Sequence, residues 1–279
     1  MQTVTPKIVI TDLDGTLRSI ENGFTKDDLE ILDELKNKNI IRVIATGRSL
    51  FSLRKVIEPD FPIDYIIFSS GAGIMNWNTK EIILEHHLNG QEVKDISNIL
   101  LDNKQDFMIH RPIPENHKFV YFSATGNKNP DFLSRCDLYK DYIMPLEDEH
   151  NDFGKSCQIL VVIPNNLNSY NRILRILNPL KNTIKIIRTT SPLDGDSIWL
   201  EIFPKVVSKG KASDWLCDKL KIDKSKTLAF GNDYNDIDLL NWAKYSYVVA
   251  DAPNELKNKF LITKRQIDSG FSEIVKKLI

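Results

Sequence analysis

The sequence predicts an α/β protein with a parallel-sheet core, into which a separate α+β domain is inserted. Three observations predict it. Both ends of the 279-residue chain alternate short aliphatic runs with amphipathic helical stretches, the pattern of βαβ units. Several of the aliphatic runs stop at small or polar residues, as buried parallel strands do when their C-terminal tips carry ligand chemistry. Between about residues 85 and 200 the alternation lapses into short strands with only occasional helical spacing. The expected organisation is therefore a core from residues 1–84 and 201–279, with 85–200 as an inserted domain.

Ile8-Val9-Ile10-Thr11 opens the chain as a strand and ends in Asp12-Leu13-Asp14-Gly15-Thr16-Leu17. Carboxylates two residues apart would share a face of a continuing strand, but Gly15 allows a sharp turn, so each can aim differently. Asp and Gly are also ordinary turn residues, so this stretch alone also reads as a plain turn. Thr25-Lys26-Asp27-Asp28 has the form of an N-cap with an acidic first turn, leading into Leu29, Leu32 and Leu35 at helical spacing. Residues 40–45 form a second strand, whose βαβ connection implies a right-handed crossover, and its tip is Thr46-Gly47-Arg48. A helix with Leu50, Leu53, Val56 and Ile57 follows, closed by Pro59. Residues 65–68 are a third strand, ending in Ser69-Ser70-Gly71-Ala72-Gly73, and a hairpin over 74–84 leaves the pattern.

In the insert the spacing predicts a helix through Val93, Ile96 and Leu100, strands over 107–110, 118–122, 158–163 and 183–188, and a helix over 170–177. Segments 126–130 and 147–152 read as exposed loops. The run from Ile198 to Phe203 is expected to return to the core. Ser208-Lys209-Gly210 then leads into a helix with Ala212, Trp215, Leu216 and Leu220. Residues 227–230 form a strand running straight into Gly231-Asn232-Asp233-Tyr234-Asn235-Asp236. A helix with Ile237, Leu239 and Leu240, strands over 247–250 and 260–263, and a last helix complete the chain.

A net charge of −1 and a pI near 6.5 give no basic bias toward nucleic acid or anionic membranes. Three dispersed cysteines without a C-x-x-C pair argue against a disulfide framework or structural zinc and fit a reducing compartment. The N-terminus lacks a signal-peptide apolar core, and no stretch approaches the ~18 apolar residues of a membrane span. The expectation is a cytoplasmic protein, monomeric or homodimeric. Ser208-Lys209-Gly210-Lys211 echoes a phosphate-binding loop but lacks its glycine and hydroxyl positions. Adjacent His86 and His87 point apart on any regular element and read as surface or hinge residues.

The first strand tip, Asp12-Leu13-Asp14-Gly15-Thr16-Leu17, resembles the first motif of the haloacid dehalogenase superfamily of phosphoryl-transfer enzymes. Phosphoryl transfer needs an in-line nucleophile, charge neutralisation on the phosphoryl oxygens and a proton donor for the leaving oxygen. Asp12 is the candidate nucleophile, forming an aspartyl-phosphate, and Asp14 the candidate acid and then base. Thr46 offers a hydroxyl to the phosphoryl group and Lys209 fixed positive charge. Oxygens of Asp12, Asp14, Asn232, Asp233 and Asp236 make a hard, oxygen-only set suited to Mg²⁺. Gly47, Arg48, Ser70, Gly71 and Asn235 are candidate substrate contacts, with Arg48 open between active-site contact and structural ion pair.

The full order, Asp12-x-Asp14, Thr46-Gly47-Arg48, Lys209, then Gly231 to Asp236, resembles that superfamily along the whole chain. The long insert is similar to the large cap of its Cof-type, class IIB phosphatases. That resemblance implies a Rossmann-like core, a cap that closes over the strand tips, Mg²⁺ dependence, a small phosphorylated metabolite as the partner and sugar phosphates as the leading substrate class. A phosphomutase or a non-catalytic phospho-ligand sensor are the alternatives. Asp194, Arg188 and Glu201 are candidate specificity residues in the cap. Two positions depart from the family pattern. Asn232 stands where an Asp is usual, which predicts weaker metal binding unless Asp233 or Asp236 compensates, and leaves open whether Asn232 or Asp233 faces the metal. Ser70-Gly71-Ala72 stands where Asn-Gly-Ala is common, altering a hydrogen bond there.

Overall fold

The computed structural model describes residues 5–124, 129–146 and 153–279, and divides into one unit of residues 1–85 with 208–279 and another of residues 86–207. In the first, the aliphatic runs assemble into an eight-stranded sheet in the order Leu261–Ile262, Tyr245–Val248, Thr227–Gly231, Ile8–Thr11, Ile41–Ala45, Tyr65–Phe68, Gly73–Asn76, Ile82–Glu85. The strands from Leu261–Ile262 to Tyr65–Phe68 are parallel, and the last two add as an antiparallel hairpin with an irregularity between Ile74 and Met75. From Ile8–Thr11 the chain order runs outward in both directions, so this strand sits at the switch point of the sheet. Its C-terminal end is therefore where an open α/β sheet presents a crevice.

All of Ile8–Thr11 is buried because helices cover both of its faces. Ile8, Ile10, Val43 and Ala45 pack with Ala212 and Leu216 of helix Lys209–Leu220 and Leu239 and Leu240 of helix Ile237–Trp242. Helices Lys26–Asn37 and Gly270–Leu278 pack on each other. Thr25 caps the former, its hydroxyl accepting from the Asp28 amide at 3.2 Å, as its sequence form implies. A small antiparallel pair, Arg18–Ser19 with Gly23–Phe24, follows the first strand. It was not expected, because two-residue strands carry no period. The last two strands also differ in extent, Tyr245–Val248 and Leu261–Ile262 in place of 247–250 and 260–263.

The second unit holds a six-stranded sheet in the order Ile143–Pro145, Phe119–Phe122, Phe107–His110, Ile159–Ile163, Ile198–Pro204, Ile184–Thr190, antiparallel except for its first pair. Helices Gly90–Asp102 and Leu167–Ile176 cover one face, setting Val93, Ile96, Leu100 and Ile173 against Phe107, Ile109, Val161 and Leu200. Asn89 and Glu92 form a reciprocal capping box at the first of these helices.

Two expectations are corrected here. Ile198–Pro204 does not return to the core; it is paired on both sides within the second sheet, so a boundary at 200/201 bisects a strand, and the unit changes between Val207 and Ser208. All seven of its residues are buried, so the run reads like a core strand and nothing local says which sheet it joins. Pro130, expected in a loop, is the first residue of helix Pro130–Leu138, with Asn129 accepting from the amides of Asp131 and Phe132. The remainder of that expected loop, residues 126–128, and the segment 147–152 lie outside the described residues. Among the described residues no helix is long and apolar enough to cross a membrane.

Candidate active site

The centre of the site is a buried ammonium shared by two carboxylates. Asp12 prolongs the first strand, its amide donating to the Phe230 carbonyl at 3.0 Å, so its side chain leaves from the sheet's C-terminal edge. Ser208 caps helix Lys209–Leu220 by accepting from the Lys211 amide, which fixes Lys209 as the first helical residue. Lys209 Nζ donates to Asp12 Oδ1 and to Asp236 Oδ1, each at 2.6 Å. Lys209 and Asp236 are 0 % exposed and Asp12 6 %. Burial pushes the Asp12 carboxyl up, the Lys209 ammonium draws it down and Asp236 raises it again, leaving it at about 7. Burial works against the Lys209 ammonium, yet the two carboxylates outweigh it and hold the group above its ordinary value.

Asp236, expected among the metal ligands, has both carboxylate oxygens engaged by protein groups. Its Oδ1 holds Lys209 and its Oδ2 accepts from the amides of Asn232 at 2.8 Å and Asp233 at 3.1 Å, so it orients the lysine and closes the loop. Asp233 takes the N-cap position of the short turn Tyr234–Asp236, its backbone carbonyl accepting from the Asp236 amide at 3.0 Å. Asn232, in contrast, lies against the turn after Asp14. Gly15 has φ +80°, and a Cβ there would fall on the Asn232 amide group. The oxygens left as candidate ligands are Asp12 Oδ2, which is not the oxygen held by Lys209, the Asp14 carbonyl and the Asn232 amide oxygen. This oxygen set fits Mg²⁺ in chemistry. It holds one carboxylate, in keeping with the finding that no cluster of three or more His, Cys, Asp or Glu residues suited to a metal exists among the described residues.

Asp14 stands in a different environment. Arg48 grips it with both sides of its guanidinium, Nε to Oδ2 at 2.5 Å and Nη2 to Oδ1 at 2.9 Å, and Arg18 Nη1 reaches Oδ1 at 3.3 Å. Arg48 Nη1 donates in turn to Ser52 Oγ at 2.9 Å. The backbone of the same residue knits two strand tips together. The Arg48 amide donates to Thr46 Oγ1 at 3.1 Å, its carbonyl accepts from the Ser69 amide at 2.9 Å, and the Thr46 carbonyl accepts from the Ser70 amide at 3.0 Å. Ser69 and Ser70 take left-handed φ values of 49° and 55° to make this turn, a strain typical of functional loops.

Ser70 Oγ and Asn235 Nδ2 both lie beside Gly47, at 3.5 and 3.6 Å from where its Cβ would be, so these three expected substrate contacts are neighbours. Gly71, expected as a fourth, is used differently. At φ +103° its α-carbon abuts the Ser208–Lys209 peptide, and a Cβ would collide with the Ser208 carbonyl, so Gly71 seats the helix that carries Lys209. The sequence reading missed Arg18, which lies on a two-residue strand, and Ser52.

The specificity candidates of the second unit separate. Asp194 spends its oxygens on its own turn, accepting from the Asp196 and Ser197 amides and the Ser197 hydroxyl. The Arg188 guanidinium lies 5.5 Å from the Tyr170 ring centroid. Glu201 is buried and accepts from Gln158 at 3.5 Å. His87 accepts from the Ile113 amide at 3.1 Å.

A sequence profile of haloacid dehalogenase-like hydrolases matches residues 9–274 of the chain. A protein of Streptococcus pyogenes named "Putative phosphatase" is 26% identical over 286 residues, covering 98% of each chain. A 5-amino-6-(5-phospho-D-ribitylamino)uracil phosphatase of Bacillus subtilis is 23% identical over 290 residues, again covering 98% of each. Among solved structures, a sugar phosphatase of haloacid dehalogenase subclass IIB superposes with a TM-score of 0.76 at 21% identity, covering 97% of this chain and 98% of that one.

Proposed function

The chain belongs to the haloacid dehalogenase-like hydrolases, and from that premise we propose that it is a Mg²⁺-dependent phosphatase of a small phosphomonoester. The observation that carries the reading is the buried Asp12–Lys209–Asp236 group at the tip of the switch-point strand. In the first step an Asp12 carboxylate oxygen bonds to phosphorus as the ester P–O bond breaks, and Asp14 gives a proton to the leaving oxygen. In the second, a water oxygen bonds to phosphorus, the Asp12–phosphorus bond breaks, and Asp14 takes the water proton. Lys209 supplies fixed charge and the Thr46 hydroxyl a hydrogen bond to the phosphoryl oxygens. Asp12, the Asp14 carbonyl and Asn232 would hold Mg²⁺, which supplies the charge neutralisation that lets one anion attack another.

Residues 1–85 with 208–279 are the catalytic domain in this reading, and 86–207 the cap that selects the leaving group. The subclass IIB sugar phosphatase and the ribitylaminouracil phosphatase favour a phosphorylated sugar or polyol as substrate, met in the cytoplasm. The test is release of inorganic phosphate from a panel of sugar and polyol phosphates plus 4-nitrophenyl phosphate, with Mg²⁺ or EDTA. Turnover that needs both Mg²⁺ and Asp12, read against Asp12→Asn, supports the reading. A wild type as inert as Asp12→Asn across the panel refutes it in favour of a phospho-ligand sensor.

A further inference from the structure

Arg48 follows the Thr46-Gly47 loop and would be taken for a substrate anchor, yet its guanidinium is turned onto a carboxylate of the protein itself. Nε and Nη2 are spent on Asp14, at 2.5 and 2.9 Å, and Nη1 on Ser52 Oγ at 2.9 Å. A side chain committed on three nitrogens within its own unit has little left with which to bind a second anion. We propose that Arg48 is a positioning residue that acts on the reaction through Asp14, fixing the plane of the carboxyl that delivers a proton to the leaving oxygen. The inference rests on the phosphatase reading above and goes beyond it by assigning Arg48 to the proton-transfer step rather than to substrate affinity.

The geometry suits that task. A bidentate guanidinium fixes both the position and the plane of a carboxyl group, which a single ammonium would not. Oδ1 accepts from both Arg48 and Arg18, but Oδ2 accepts from Arg48 Nε and keeps a second lone pair for the proton that Asp14 must carry. When that proton passes to the leaving oxygen as the P–O bond breaks, the carboxylate left behind is met by Arg48 and by Arg18, 3.3 Å away. The clamp is itself located by the site, since the Arg48 amide donates to Thr46 Oγ1 and its carbonyl accepts from the Ser69 amide. Arg48 thus ties the proton donor to the loop expected to hold the phosphoryl group.

The test exploits the leaving group and the second carboxylate. An alkyl phosphate needs a proton on its leaving oxygen, whereas 4-nitrophenolate leaves without one, and kcat/KM reports phosphorylation of Asp12 alone. Arg48→Gln is expected to lower kcat/KM for the best sugar phosphate by about 100-fold, the scale of a misplaced catalytic group, and to leave that for 4-nitrophenyl phosphate within about threefold. In an Asp14→Asn background the same substitution is expected to cost less than about threefold on the sugar phosphate, because residues acting as a unit are not additive. Arg48→Lys, which keeps the charge but not the fork, is expected to behave like Arg48→Gln. Equal losses on both leaving groups, or the same loss with and without Asp14, would overturn the proposal and make Arg48 a substrate anchor. Folding is monitored by the thermal midpoint, and should Arg48→Gln not fold, Arg48→Lys carries the same comparison. Absence of any Asp12-dependent turnover in the wild type is the separate outcome that overturns the phosphatase reading, and this inference with it.

Discussion

Buried, and sharing one ammonium with Asp236, the Asp12 carboxyl is expected to contribute less to the stability of the metal-free protein as pH rises toward neutrality. The perturbation is Asp12→Asn, which keeps the shape of the side chain and removes its titration. In the unfolded chain Asp12 ionises near its ordinary 3.8, whereas in the fold it ionises at about 7. Below pH ~4 both states hold the proton. Between ~4 and ~7 the unfolded chain releases it and the native protein does not, so the native state binds more protons and ΔG of unfolding falls. The interval from 3.8 to about 7 corresponds to ~4 kcal/mol at ~1.4 kcal/mol per pH unit. Lys209, held above its usual value, stays charged across this window and adds no slope. The assay is urea unfolding in EDTA at intervals from pH 4.5 to 8.5, taking wild type minus Asp12→Asn so that all other groups cancel. The difference is expected to fall by up to ~4 kcal/mol and flatten above pH ~8. A difference that is flat, or that grows with pH, refutes the argument, because it would mean that Lys209 neutralises both carboxylates.

Asp236→Asn removes the neighbouring negative charge that helps raise Asp12, so the inflection of that profile is expected to move to lower pH, read by the same titration. Gly71→Ala must relieve both a φ of +103° and a collision with the Ser208 carbonyl; the expected loss is about 3 kcal/mol by denaturant unfolding. Gly23→Ala, at φ +72° with nothing within 4 Å, is its control and is expected to lose only about 1 kcal/mol. Trp199→Phe takes the indole donor from Asp131, whose other oxygen accepts from Ser191 at 2.8 Å, and leaves a buried carboxylate oxygen unmatched. The expected cost is ~1–3 kcal/mol in thermal or urea unfolding. Asn232→Asp adds a charged oxygen beside Gly15 and is expected to tighten Mg²⁺ by about tenfold in calorimetry, while lowering the thermal midpoint in EDTA.

What could be read from the sequence follows how far each feature depends on neighbours along the chain. The strand before Asp12, the Thr25 cap and the helix after Ser208 are local, and the aliphatic runs, a hydroxyl cap and leucine spacing state them directly. The acid–lysine–acid group joins residues 12, 209 and 236, and only their positions at three strand or helix ends suggested that they meet. Which of Asn232 and Asp233 lies against Gly15 was not legible, because one backbone step separates the two. Arg18 was hidden for a similar reason: its pair of two-residue strands is too short to show any period. In the second unit Asn129-Pro130 carried a proper helix start, but the turn-forming residues before it made the whole stretch read as loop.

The placement of charge, more than its sum, separates the two acids of the first strand tip. Asp12, Asp14 and Asp236 are matched in number by Lys209, Arg48 and Arg18, yet the fold partitions them unequally. Two carboxylates share one cation in the fully buried group, and one carboxylate holds two cations where the side chains remain 17–25% exposed. The deep group is therefore short of positive charge, which adds to the burial that raises the Asp12 carboxyl. The outer group has charge to spare just where the leaving oxygen would gain a proton. Gly15, directly after Asp14, has a positive φ and turns the chain there, while Asp12 is held by Lys209 and Asp14 by Arg48. Two like residues, two positions apart, thus meet opposite balances of charge.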